Sequence, residues 1–353
     1  MTVRVIDQAG IRQLVEKLQK EAKVMAPHRR EGRDQWAFQE VTDPDLICLE
    51  YTTTTIPPKQ FAFPTREPLV RVKLGGDDLV AEPVLQAEPL VLFGVHPCDI
   101  YGLQCLDVVY CDEHADPNWI ARRQQMRIVG VDCAPDDWCF CTSMGTASVD
   151  SGFDLFLTPL GEECLVEVGT EAGAQMLEGL PTREADAGEI GQVKKQLAKK
   201  LDQERKINTD FHNLPLRFSG AAQSEVWEKH AKRCYGCGTC VLTCPTCVCF
   251  DVVDDIKLDL TEAQRDRIWD GCMLEDFAKV ASGENFREER FQRLRHRYFR
   301  KYAYLFTRYG RPYCCGCGRC VRQCLVHIDP VEIINDLLEA TDQTSKGGVT
   351  RGA

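Results

Sequence analysis

A chain of 353 residues, with 44% apolar and 27% charged residues, has room for about two cores and the composition of an ordinary globular protein. It has no run of about 18 apolar residues, and its start, MTVRVIDQAGIRQLVEKL, lacks the basic-then-apolar pattern of an export signal; both features predict a cytoplasmic protein with no membrane span. The formal charge of −11 speaks against nucleic acid as the main partner, and twenty cysteines in such a chain point to metal or redox use rather than disulfides.

Residues 7 to 23 have amphipathic helical spacing, and LICLEYTTTT, from Leu46, is rich in β-formers. PLVLFGV (89–95) is a short apolar run of the buried-strand kind, followed by helical spacing from Asp99 to Tyr110. A second helix, DPNWIARRQQM, leads into another apolar run, RIVGV (127–131). Two apolar strands joined by helices predict a βαβ unit with a parallel pair. FDLFLTPLGEECLVEV then reads as a hairpin turning at Gly161. Residues 1–182 are thus expected to form an α/β domain. Residues 183–231, polar and charge-rich, with runs such as EIGQVKKQLAKKLDQERK, read as a helical connection.

Twelve of the twenty cysteines lie between Lys232 and Cys324. Cys234, Cys237, Cys240 and Cys244 follow C-x2-C-x2-C-x3-C with Pro245 next, and Cys314, Cys317, Cys320 and Cys324 repeat the spacing with Leu325 in place of proline. A loop with a cysteine at every third residue wraps three corners of a [4Fe–4S] cube, and in two-cluster ferredoxins the fourth cysteine of each run ligates the other cube. On that pattern Cys234, Cys237, Cys240 and Cys324 hold one cluster, and Cys314, Cys317, Cys320 and Cys244 the second. Gly236, Gly238, Gly316 and Gly318 let the loops curl around the sulfurs. Two zinc sites are the competing reading, but zinc typically uses paired C-x2-C hooks. The expectation for residues 232–341 is an α-helical, two-cluster ferredoxin-like domain with a long helical insertion; residues 342–353 read as a loose tail.

The insertion contains ENFREERFQRLRHRYFRKYAYLFTRYGRPY, which is basic, aromatic and helical in spacing. It suits a face that compensates anionic clusters or docks an acidic partner, a solvated helix with an aromatic core stripe, or a nucleic-acid surface. Cys247 and Cys249, two apart in the β-rich segment VCFDVV, would share one face, with Cys272 of WDGC as a neighbour. These three thiols are either packing or part of an additional site completed by another residue.

In the first domain both expected parallel strands run into a cysteine, Cys98 and Cys133, and the next loop carries Cys139 and Cys141. Ligand sites of open α/β sheets lie beyond the carboxyl ends of the strands, so the four thiols could converge there on a third [4Fe–4S] cluster or another metal. The alternative is small buried packing residues. His96 is either structural or a supporting partner of that site. Cys48, Cys105, Cys111 and Cys164 read as core, and Cys315, out of register, as a bystander.

GVHPCDIYGLQCLD, DPNWIARRQQMRIVGVDC, CFCTSMG, CPTCVCFDVVD and WDGC, ahead of a second ferredoxin motif, together resemble the 4Fe-4S dicluster electron-transfer subunits of the sulfhydrogenase beta and anaerobic sulfite reductase A type, over about Val24 to Asp329. The resemblance implies a subunit that passes single electrons between a flavin-containing NAD(P)H- or ferredoxin-linked partner and a catalytic subunit: a hydrogenase, a sulfite reductase or a heterodisulfide reductase-like module. His96 stands where that family more often has arginine. No dinucleotide or P-loop glycine motif occurs, which suits a chain that leaves hydride chemistry to a partner. Two other functions compete with the relay. One is a reductase using the Cys98, Cys133, Cys139 and Cys141 site, and the other a nucleic-acid-processing protein with structural clusters.

Overall fold

The computed structural model describes residues 3–33, 35–74 and 80–347. The chain divides into two compact units, the first made of Met1–Ala134, Ser148–Leu201 and Phe250–Trp269, the second of Pro135–Ala147, Asp202–Cys249 and Asp270–Ala353.

The first unit opens with strand β1 (Val3–Asp7) and helix α1 (Gln8–Leu18), where the Asp7 carboxylate caps the helix by accepting from the Gly10 N–H at 2.7 Å. Ile11, Leu14, Val15 and Leu18 form the buried stripe of α1. Next come β2 (Lys23–Arg29), β3 (Trp36–Glu40), β4 (Arg66–Lys73), β5 (Val80–Pro83) and β6 (Leu90–Val95). Helices α2 (Pro97–Tyr110) and α3 (Pro117–Gln125) precede β7 (Met126–Val131). The hairpin β8 (Leu155–Leu160) and β9 (Glu163–Val168) turns at Gly161, whose φ of 71° a side chain would resist. Helix α4 (Glu171–Leu177), β10 (Thr182–Glu184) and α5 (Ala187–Leu201) follow.

One sheet has the order β10-β1-β9-β8-β7-β6-β2-β3. Its middle strands β8, β7, β6 and β2 are parallel, and antiparallel strands flank them on both sides. The expected parallel pair is β6 and β7. The near-continuous apolar burial of these strands is what a parallel sheet covered on both faces requires.

A second, antiparallel sheet has the order β11-β12-β4-β5, with β11 (Phe250–Ile256) and β12 (Glu262–Trp269) supplied from the stretch between the two cysteine runs. The long insertion therefore begins as a β-hairpin, not as helix. Its period-two pattern pairs β12 with β4, and buried Arg267 bonds Glu67 at 2.5 Å and also reaches Asp116. LICLEYTTTT is not a strand either. Tyr51 donates its hydroxyl to the Gly94 carbonyl at 2.7 Å and stacks on His96 at 3.9 Å, and the Thr54 hydroxyl donates to the Ile56 carbonyl. Side-chain contacts thus hold the segment as a loop that ends at Pro57 and Pro58, overriding its β propensity.

The second unit is helical: α6 (Leu214–Ser219), α7 (Val226–Ala231), α8 (Thr239–Leu242), α9 (Arg290–Phe299), α10 (Leu305–Tyr309), α11 (Arg319–Arg322) and α12 (Pro330–Gly347). A widened turn over Arg300–Tyr304 joins α9 to α10. Trp227, Phe218, Tyr298, Tyr302 and Ile334 fill its core. The stretch expected as helical connection is split, since α5 belongs to the first unit and α6 and α7 to the second. Helix α12 continues through residues 342–347, so the expected tail is helical there, in keeping with an uninterrupted run without glycine or proline from Val331 to Lys346; residues 348–353 lie outside the described residues.

Candidate metal centres

The two cysteine runs have the same backbone. Gly238 and Gly318 (φ 74° and 71°) begin the short helices α8 and α11, and their carbonyls accept from Val241 and Val321 at 2.9 and 3.0 Å. Thr243 donates to Thr239 and Gln323 to Arg319, both at 3.0 Å, and the pattern continues with Cys247 donating to Cys244 and His327 to Cys324. A side chain at Gly318 would come within 2.6 Å of the Trp138 carbonyl, and one at Gly238 within 2.6 Å of Leu274. Each glycine thus serves both the loop's curl and the close approach of a neighbour.

The thiols gather in two groups, each drawing on both runs. Cys240 lies within electrostatic reach of Cys234 and Cys324, and burial pushes its thiol up to about 12. Cys234, Cys237, Cys240 and Cys324 line one cavity together with Arg297, Leu294, Met273 and Ile328. In the other group Cys320 lies near Cys314, Cys317 and Cys244, and burial pushes it up to about 12 as well. Among the described residues no set of His, Cys, Asp or Glu side chains is gathered tightly enough for a single metal ion. Zinc draws its thiolates to about 2.3 Å, whereas a four-iron cube keeps its ligand sulfurs apart at separate corners.

The basic, aromatic stretch faces these thiols. Arg293, Arg297 and Lys301, four residues apart on one helical face, are each buried, at 4%, 4% and 6% exposure. Arg290 donates to the Cys234 carbonyl at 2.6 Å and Arg297 to the Cys240 carbonyl at 3.4 Å. Lys301 donates to the Cys244 sulfur at 3.2 Å, to the Thr246 hydroxyl at 3.0 Å and to the Tyr313 carbonyl at 3.1 Å. Burial alone would raise the Cys244 thiol, but the Lys301 ammonium and the Thr246 hydroxyl outweigh it, and its pKa is lowered. The Thr239 hydroxyl likewise lowers that of Cys237. Burial raises the Cys314 thiol against the opposing Tyr302 hydroxyl, which bonds to it.

Arg293 Nε, Arg297 Nε and the Tyr298 hydroxyl are buried and find no acceptor in the protein. Leaving such donors unpaired is costly, more so on a charged group; Arg297 and Tyr298 lie within electrostatic reach of Cys240 and Cys320, where the inorganic sulfides of iron–sulfur clusters are acceptors that would suit them. The residues present therefore fit a pair of anionic clusters. The helical spacing of the three cations was readable in the sequence, but the supporting roles of Thr246, Tyr302 and Tyr313 carried no local signal.

The N-terminal cysteines fall in both units. Cys98 lies in the first turn of α2 and Cys133 just beyond β7, where Lys200 donates to the Cys133 sulfur at 3.7 Å and to Asp132 at 2.6 Å. Cys139 and Cys141 belong to the second unit. There the Phe140 N–H donates to the Gly316 carbonyl at 2.8 Å, the Cys139 thiol to the Cys317 carbonyl at 3.8 Å, and Thr146 to the Cys315 carbonyl at 2.7 Å. Trp138 stacks on His327 at 5.1 Å. The segment CFCTSMG thus packs over the second cysteine run, with Cys315, buried, at the contact. Cys105 and Cys164 are core; Cys48 is half-buried and Cys111 is exposed, where a core place was expected.

Residues 233–328 match the family model for the 4Fe-4S dicluster domain. Over 324 residues the chain is 36% identical to sulfhydrogenase 2 subunit beta of Pyrococcus furiosus, covering 92% of this chain and 94% of that protein. The chain belongs to the sulfhydrogenase beta-subunit family of 4Fe-4S dicluster proteins. Within that family the matched domain begins one residue before Cys234 and ends four after Cys324, so it encloses both cysteine runs and the cationic helix α9. Among the described residues no helix is long and apolar enough to cross a membrane.

Proposed function

We propose that the chain is the iron–sulfur electron-transfer subunit of a cytoplasmic multisubunit oxidoreductase. It links a flavoprotein that uses NAD(P)H or ferredoxin to a catalytic subunit of the hydrogenase, sulfite reductase or heterodisulfide reductase kind. Cys234, Cys237, Cys240 and Cys324 hold one [4Fe–4S] cluster, and Cys314, Cys317, Cys320 and Cys244 hold the other, in a ferredoxin-like arrangement. The observation that carries the reading is that each group of neighbouring thiols combines both runs, with buried cations against them. When bound, such clusters carry single electrons.

The protein's own residues bind and tune. Arg297 and Lys301 offset the negative charge of the thiolates, and the Lys301 ammonium and the Tyr302 hydroxyl bond directly to ligand sulfurs. Cys237 is exposed, and Tyr235 and Leu325, at 70% and 85% exposure, form an apolar rim beside the first group, fitted to contact with a partner protein. The nucleic-acid alternative would need these helical cations at the surface, where Arg293, Arg297 and Lys301 are not.

Anaerobic purification of the chain with whatever subunits accompany it tests the proposal. Cys237→Ala is expected to lose one cluster's electron paramagnetic resonance signal and most electron throughput from donor to catalytic subunit. Unchanged cluster content in that variant would sink the ligand assignment. Turnover of a sulfur or disulfide substrate by the isolated chain would sink the relay.

A further inference from the structure

Three cysteines of the second unit remain outside both groups: Cys247, Cys249 and Cys272. They do not share a strand face, because β11 begins only at Phe250. Even so they are together. Cys249 lies within electrostatic reach of Cys247 and Cys272, and Cys272 of Cys247. Cys247 and Cys272 are buried at 7% and 4% exposure, and Cys249 packs against the same core.

Two features hold the trio in place. The Asp270 N–H donates to the Cys249 carbonyl at 3.5 Å, tying WDGC to the first cysteine run. A side chain on Gly271 would come within 2.4 Å of Val241, so only glycine lets this segment close against α8 and bring Cys272 beside Cys240. By the matched hydrogen bonds of the two runs, Cys247 stands where the second run has His327. Counting on, Cys249 corresponds to Asp329, so the second repeat has neither thiol. The ring of charge is also extended here: Arg300 faces Cys249 and Cys272, and Arg297 and Lys301 reach Cys272 as well. Packing cysteines need no cations, and burying charge beside neutral thiols is costly.

We propose that Cys247, Cys249 and Cys272 hold a third iron–sulfur cluster, ligated by three thiolates and carried beside the first cysteine run. It is a separate centre from the two of the proposed relay and uses none of their ligands. Three thiolates satisfy a three-iron cluster, or a four-iron cluster in which one iron takes a non-thiolate ligand such as a carboxylate or hydroxide.

Iron and acid-labile sulfide counts on the anaerobically purified full chain test this, together with electron paramagnetic resonance of its oxidised and reduced forms. The parent is expected to carry about eleven or twelve irons, and Cys272→Ser to lose about three or four of them. The reduced signals of the two dicluster centres should survive that change, and Cys133→Ser should keep full iron. Cys249→Ser, at a half-buried position that tolerates a hydroxyl, should repeat the loss if Cys272→Ser fails to fold. A parent holding only about eight irons would overturn the proposal. So would full iron retention in either the Cys249→Ser or the Cys272→Ser variant.

Discussion

The two cysteine runs share spacing, glycine conformations and backbone hydrogen bonds, yet their surroundings differ. The first opens to solvent through exposed Cys237 and Tyr235. The second is roofed by the Trp138–Cys141 segment, with Cys317 buried and the Phe140 N–H bonded to the Gly316 carbonyl. The one lysine ammonium bonded directly to a run's sulfur, among the contacts described, falls on Cys244, which the crossed arrangement assigns to the second centre. Equal motifs therefore need not make equal centres. Cluster potential depends on burial and on hydrogen bonds to sulfur, and here both differ. Burial by itself resists the added negative charge of reduction, and the Lys301 ammonium on the Cys244 sulfur works against that, so the second centre's potential hangs on the lysine, while the exposed centre should face a partner.

The largest effect should come from breaking the crossing. Cys324→Ser is expected to remove the centre built on the first run and leave the second spectroscopically intact, and Cys244→Ser the reverse. Loss of the second centre's signal in Cys324→Ser would mean that each run serves its own cluster. Next, Lys301→Met deletes a charge-assisted hydrogen bond worth about 1.5 kcal/mol or more. That corresponds to roughly 60 mV for a one-electron couple, so the second centre's midpoint should fall by about that much in a redox titration while the first barely moves. The smallest change is expected for Tyr235→Ala. Cluster content should be unchanged and electron transfer to the partner slowed about fivefold, as loss of about 1 kcal/mol from a docking contact would do. An equal slowing in a partner-free assay with a small-molecule acceptor would remove the docking role.

What the sequence made legible was whatever is encoded locally. The spacing of the eight cysteines, the parallel pair β6 and β7, and the turn at Gly161 all rest on a few adjacent residues, and each element is found where its pattern lies. LICLEYTTTT went astray because its conformation is set by contacts to residues far along the chain, Gly94 and His96. Of the hairpin after Cys249 only the β-rich VCFDVV at its start was legible; β12 stayed hidden, since it finds its partner β4 nearly two hundred residues earlier. The cations of α9 were visible as a run, but which way they point is a tertiary fact. A helix with so many arginines reads as a solvated one until thiols are found against its buried face.

The hairpin also has a consequence for how this chain tolerates change. It leaves the second unit after Cys249 and returns at Asp270, and those two residues are hydrogen-bonded to each other. For the second unit the excursion amounts to a closed stem, with its ends pinned together as in a permissive insertion site. For the first unit the same residues are two strands of a sheet, including the Arg267 that bonds Glu67 and the Trp269 that stacks on Phe63. Length should therefore vary freely at the tip between Ile256 and Glu262, where Leu258 is fully exposed, while a change in length at the stem of Cys249 and Asp270 should disturb both units.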